Sequence, residues 1–175
     1  MPTTDHEAPR QSAPTPAAKA SPFRNALRSN APAATLLIRV MVGGVFLSEG
    51  IQKFLYADDR GAGRFEKIGI PSPEILGPFV GSMEIVCGAL LLLGLATRFA
   101  AIPLIAIMLT ALYTTKLPIL IGEEFGGFSL RPLSRYGLLS MLHEARTDLS
   151  MLLGSLFLLI TGSGPFSLDA KLTRS

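Results

Sequence analysis

The sequence predicts an all-α fold, an integral membrane protein built as an antiparallel four-helix transmembrane bundle. Three observations lead there. Of the 175 residues 49% are apolar and only 17% are charged, against roughly 25% charged in an ordinary soluble domain. The first long apolar stretch, residues 33–54 (AATLLIRVMVGGVFLSEGIQKF), is long enough to cross a bilayer, since about 20 residues at 1.5 Å each span a roughly 30 Å hydrocarbon core. Its charges and glycines also gather on one side. At about 100° per residue Arg39, Gly43, Phe46, Gly50 and Lys53 share a stripe, with Glu49 at its edge. Such a stripe faces other helices, not lipid.

Composition excludes several functions. A formal charge of +3, with basic residues scattered or beside acids, gives no basis for nucleic-acid binding. Cys87 is the only cysteine, so neither an internal disulfide nor a CxxC pair can form. Trp is absent, which leaves Tyr56, Tyr113, Tyr136 and the phenylalanines for an interfacial belt.

Residues 1–32 are rich in Pro, Ala, Ser and Thr and cannot bury enough apolar surface to order themselves. They read as a disordered tail, without the apolar core of a cleaved signal peptide. The bundle domain follows over residues 33–165. After the first span, residues 56–73 form a polar loop punctuated by Gly61, Gly63, Gly69, Pro71 and Pro73.

The second span covers about 75–95. Gly77, Gly81, Glu84 and Gly88 recur on one face, and Gly77 with Gly81 makes a small-xxx-small pair that lets a second helix approach closely. Glu84 sits roughly 14 Å into this span, near the bilayer midplane. There it must find a donor or give up its charge. The very short turn at Ala96-Thr97-Arg98 makes the second and third spans a hairpin, the third running over 99–116 and stopping at Lys116 before Pro118.

Residues 117–142 are too apolar for a solvated loop and are expected to fold back on the membrane surface or the bundle. The fourth span, 142–162, has to include its charged start, because Leu149 to Thr161 alone is too short. His143, Glu144, Arg146 and Asp148 therefore occupy its opening turns. Gly162-Ser163-Gly164-Pro165 stops it, and residues 166–175 form a C-terminal tail. Basic residues divide evenly between the two sides. Arg10, Lys19, Arg24 and Arg28 precede the first span, which favours both termini in the cytoplasm.

Several segments in order resemble the DoxX family of small four-span bacterial membrane proteins. Arg39 with Gly50-Ile51-Gln52-Lys53 resembles its opening helix. Phe65-Glu66-Lys67-Ile68-Gly69-Ile70-Pro71 resembles its loop motif. Met83-Glu84 through Gly88, with Leu91 to Leu95 and Thr97-Arg98, is similar to its second span and turn. His143-Glu144-Ala145-Arg146-Thr147-Asp148 resembles one branch of the family, and Thr161 to Gly164 with Ser167-Leu168-Asp169-Ala170 its terminal signature. The resemblance covers about residues 34–172. It implies a multi-pass protein of the bacterial inner membrane, associated with quinol oxidase subunits, thiol-redox complexes or detoxification. It supplies no agreed set of catalytic residues.

A haem between helices needs ligands on facing helices, and outside the N-terminal tail only His143 exists; no P-loop, dinucleotide fingerprint or zinc-spaced cluster appears. The chain is thus at most an oxidoreductase subunit without a self-contained redox centre, working with a quinone or with redox partner subunits. The bilayer is its certain partner, and the sequence leaves room for a homo-oligomer.

Arg39, Glu49, Lys53 and Glu84 are the candidate ligand or proton site, expected as one pocket between the first two spans. Cations there would hydrogen-bond a quinone oxygen or an anionic headgroup, and a carboxylate would accept a proton. The same residues read equally as a buried ionic network that sets helix register, with Lys53 snorkelling. His143, Glu144 and Asp148 are secondary candidates. No metal is expected on them, because adjacent His and Glu do not converge on one face. Cys87 reads as an inert buried thiol, and Ser167-Leu168-Asp169 as a cap or anchor for the tail. A non-redox binding or transport module and a structural docking bundle are the alternatives.

Overall fold

In chain order the structure, a computed structural model, comprises α1 (Thr35–Leu55), two short helices α2 (Ala57–Arg60) and α3 (Ala62–Ile68), α4 (Pro73–Leu93) and α5 (Thr97–Ala111). A π-helical segment, Leu112–Lys116, joins α5 to α6 (Leu117–Ile121), followed by α7 (Leu138–Thr161) and α8 (Leu168–Arg174). Residues 27, 29 and 31–174 are described. The expected disordered tail therefore lies largely outside the described residues. Of the tail residues that are described, Leu27 is buried, and the Ser29 hydroxyl donates to the Thr161 carbonyl at 2.5 Å.

The protein is all-helical, and α1, α4 and the continuous run Thr97–Ile121 are each long and apolar enough to cross a membrane. With 24 residues, α7 has comparable length, about 36 Å. Its first half carries His143, Glu144, Arg146 and Asp148, so it falls short of the same apolar composition. Outward faces expose Leu37, Val86, Ile102, Leu109, Leu153 and Ile160. So much exposed apolar surface suits acyl chains rather than water. The core between the helices is built from Val42, Phe46, Cys87, Leu91, Leu104, Met108, Met151 and Leu158.

The most extensive pairings are α1 with α4 and α5 with α7. Glycines set the first. A Cβ at Gly43 would stand 2.8 Å from the Gly88 carbonyl oxygen, and one at Gly50 only 2.7 Å from that of Gly81. The two backbones thus touch at two levels, an antiparallel register in which small residues supply the van der Waals packing that lipid cannot oppose. Gly77 serves another neighbour. A Cβ there would meet the Ala62 backbone nitrogen at 2.8 Å, so α3, not a long helix, packs against it. The expected polar loop over 56–73 is accordingly two short helices, α2 and α3, lying on the bundle.

The third span does not end at Lys116. Pro118 has no N–H, so an α-helical hydrogen bond at that position cannot form. The chain widens instead into the π segment, with the Leu117 N–H reaching the Leu112 carbonyl, and continues to Ile121. Of residues 117–142, Leu117–Ile121 extend the third span and Leu138 onward belongs to α7, so residues 122–137 are the part that folds back on the bundle. The Ser129 N–H donates to the Ile68 carbonyl at 2.8 Å and the Gly137 N–H to Ile119 at 3.0 Å, while Tyr113 meets Phe125 and Phe128 edge-on, centroids 6.0 and 5.9 Å apart. The fourth long helix starts at Leu138, a turn earlier than expected.

Candidate functional site

Arg39 is the one primary candidate that the structure takes away from the others. It is buried near the start of α1, and its guanidinium makes four hydrogen bonds to backbone carbonyls. Nε donates to Leu91 at 2.8 Å, Nη2 to Leu92 at 2.8 Å, and Nη1 to Ser163 at 3.1 Å and Phe166 at 2.7 Å. Leu91 and Leu92 are among the last carbonyls of α4, where intrahelical donors run out; that of Leu91 also accepts from the Gly94 N–H at 3.1 Å. Lys53 lies fourteen positions on, about 21 Å along the helix. The expected four-residue pocket is therefore corrected to three residues, with Arg39 as a clamp at the opposite end of the bundle.

That clamp also holds the C-terminal segment, which is not a loose tail. Asp169 is buried, and its carboxylate accepts from the Ala96 N–H at 2.7 Å and the Thr97 N–H at 3.2 Å, satisfying the exposed start of α5. Ala96 needs this support, since it holds φ +49°, a conformation costly for a residue with a Cβ. At Gly94, with φ +65°, a Cβ would collide with the Arg39 guanidinium. Ser167 completes the knot by donating to the Gly164 carbonyl at 2.6 Å and accepting from the Ala170 N–H at 3.1 Å. The anchoring expected of Ser167-Leu168-Asp169 is thereby given its partners.

At the other end Lys53 and Glu84 meet. The Lys53 Nζ stands 2.6 Å from the Glu84 carboxylate, with side-chain exposures of 12% and 3%. Lys53 turns to Glu84 rather than to Glu49 one turn back on its own helix. The close approach explains it: a Cβ at Gly81 would lie 3.2 Å from the Lys53 Cβ. The lysine stem thus starts against α4 and runs along it to Glu84, on the same face. A charge pair this dry contributes little net stability, yet losing one partner is costly.

The pair forms one wall of a cavity of about 760 Å³ bounded by α1, α2, α3, α4, α5, the π segment and α7. Glu49 lines it as well. The facing wall carries Lys116, whose Nζ is 3.2 Å from the Asp148 carboxylate, and Arg131, whose Nη1 is 2.9 Å from that of Glu144. Val45, Phe46, Ile107, Met108 and Met151 supply apolar surface between the charges. Two of the three secondary candidates, Glu144 and Asp148, thus join the primary ones. His143 does not: it is exposed and lies outside the cavity. Among the described residues no group of three or more His, Cys, Asp or Glu could hold a metal ion.

Residues 34–117 match the family model for DoxX. An uncharacterised membrane protein of Mycobacterium tuberculosis (strain ATCC 25618 / H37Rv) is 51% identical over 148 residues, covering 85% of this chain and 86% of that protein. The chain belongs to the DoxX family. A more distant relative, named "Putative oxidoreductase CatD", of Bacillus subtilis (strain 168), is 29% identical over 137 residues, 77% of this chain and 84% of its own length. No solved structure matches the chain. The DoxX match ends just past the π segment. Glu49, Lys53, Glu84 and Lys116 fall inside it, while Arg131, Glu144 and Asp148 come from beyond it.

Sequence reasoning missed Lys116, Arg131 and the arginines of α2 and α3, Arg60 and Arg64, which also line the cavity. For Lys116 a signal existed. The apolar run Leu117–Ile121 continues the helical pattern, so Lys116 lies inside a span rather than at its end. A π segment beside such a residue is a frequent feature of functional sites. For the arginines no local signal existed, because only the packing of α2 and α3 turns them toward the bundle.

Proposed function

We propose that this DoxX protein is a quinone-binding subunit or accessory factor of a membrane redox system, with α7 as its fourth crossing. The observation that carries this reading is the cavity bounded by two ion pairs, Lys53–Glu84 and Lys116–Asp148. Its volume is within the range of small-molecule sites, about 300–1,000 Å³. The apolar walls suit a quinone ring and the start of its tail. The lysine ammonium groups are donors for quinone oxygens, and the carboxylates beside them are acceptors for the protons of a quinol. Electrons would pass to a partner subunit. The oxidoreductase in the name of the Bacillus subtilis relative is consistent with this placement.

The test uses the full chain in lipid nanodiscs with an azido-ubiquinone photolabel. Labelling is expected on the cavity walls, competed by decylubiquinone and lost in Lys53→Met. Glu84→Gln is expected to lower quinone-dependent turnover of the host membrane while leaving the protein folded. Labelling spread over lipid-facing residues regardless of competitor would refute the reading. Glu84-dependent solute flux in liposomes without quinone labelling would favour a non-redox carrier instead.

A further inference from the structure

Three of the cavity's four acids already face a cation: Glu84 has Lys53, Asp148 has Lys116, and Glu144 has Arg131. The fourth, Glu49, is half-buried on α1, one turn deeper than Lys53. Arg60 and Arg64 line the same cavity, are exposed, and form no ion pair among the described residues. The acids of their own segment, Asp58, Asp59 and Glu66, do not line it, and Lys67 pairs with Asp59 on the outside at 3.7 Å.

This placement is built into the backbone. A Cβ at Gly61 would collide with the Lys53 carbonyl oxygen, and Gly77 admits the backbone of Ala62. Two glycines thus press α2 and α3 onto the C-terminal end of α1 and the N-terminal part of α4. Arg60 and Arg64, both exposed, mark a solvent-facing mouth of the cavity, whose walls also include the apolar Val45, Phe46, Ile107 and Met151.

We propose that this mouth binds the phosphate head of an anionic lipid, with the start of an acyl chain in the apolar part of the cavity. Forked guanidinium donors match phosphate oxygens bidentately, which lysines cannot do. The apolar walls of the same cavity favour a lipid over free phosphate as the source of that phosphate. The proposal does not depend on the quinone reading, since its readout is headgroup selectivity at Arg60 and Arg64; its acyl chain would take the apolar wall in place of a quinone tail.

The experiment is native mass spectrometry of the full chain released from micelles carrying equal phosphatidylglycerol and phosphatidylcholine, for wild type, R60Q/R64Q and K67Q. Wild type and K67Q are expected to retain phosphatidylglycerol selectively. R60Q/R64Q should lose that preference by about tenfold, as expected for two solvent-screened charge contacts, with unchanged helical circular dichroism. Equal lipid selectivity in R60Q/R64Q and wild type would overturn the proposal, and so would an equal loss in K67Q, which would mark surface charge alone. Displacement of the lipid by millimolar inorganic phosphate would overturn the lipid assignment. Its persistence would support it.

Discussion

Replacing the Lys53–Glu84 pair one side at a time and then together separates a buried ion pair from two independent residues. In Lys53→Met the Glu84 carboxylate stays at 3% exposure without its counter-charge. Leaving such a charge stranded costs about 3–5 kcal/mol. Glu84→Gln costs less, about 1–2 kcal/mol, because it strands the more exposed partner and keeps a hydrogen-bond acceptor. Lys53, at 12% exposure, can also extend its flexible stem toward the cavity opening. The double variant removes both charges and strands neither, although its buried Gln still lacks the lysine donor. It should therefore lose less than Lys53→Met alone, with a coupling of about 2–3 kcal/mol. Unfolding in graded dodecyl sulfate, followed by circular dichroism for all four proteins, measures the cycle. Additive losses, or a double variant worse than either single one, would refute the pairing.

Three further outcomes follow from the same geometry. Arg39→Lys keeps the charge but cannot fork to the carbonyls of Leu91, Leu92, Ser163 and Phe166. It should lose about 2–4 kcal/mol in the same unfolding assay and speed proteolytic cleavage after Gly162. Gly50→Val, whose added carbons would press on the Gly81 carbonyl, should destabilise by about 1–3 kcal/mol; Gly44→Val, where nothing lies within 4 Å, should cost far less. Asp169→Ala leaves the N–H groups of Ala96 and Thr97 without their acceptor. It should cost about 1–2 kcal/mol and show as faster amide exchange at the start of α5.

Stability and binding separate cleanly in this arrangement. Arg39 and Asp169 work at the end where the C-terminal segment docks, and their replacement should alter unfolding while sparing quinone labelling. Lys53 and Glu84 belong to the cavity, so their replacement moves both readouts. Arg60 and Arg64 sit at the opening with no structural partner to lose, so only lipid selectivity should respond.

Hydropathy and helical periodicity were enough to establish an all-α membrane protein, the first two spans and the inward turn of Glu84. Each of these depends only on residues a few positions apart along one helix. The glycine stripe likewise announced close packing, because small residues on one face have no other use against lipid. What could not be read locally was which end of the bundle each charge would join. Arg39 and Lys53 share a face of α1, yet one meets the C-terminal segment and the other meets Glu84. That outcome depends on the α1–α4 register fixed at Gly43–Gly88 and Gly50–Gly81, and on a C-terminal segment more than a hundred residues away. The π segment, and with it the meeting of Lys116 and Asp148, was decided in the same way. A chain that widens by one residue to pass Pro118 rotates every later side chain, and the new direction is set by what α7 presents to it.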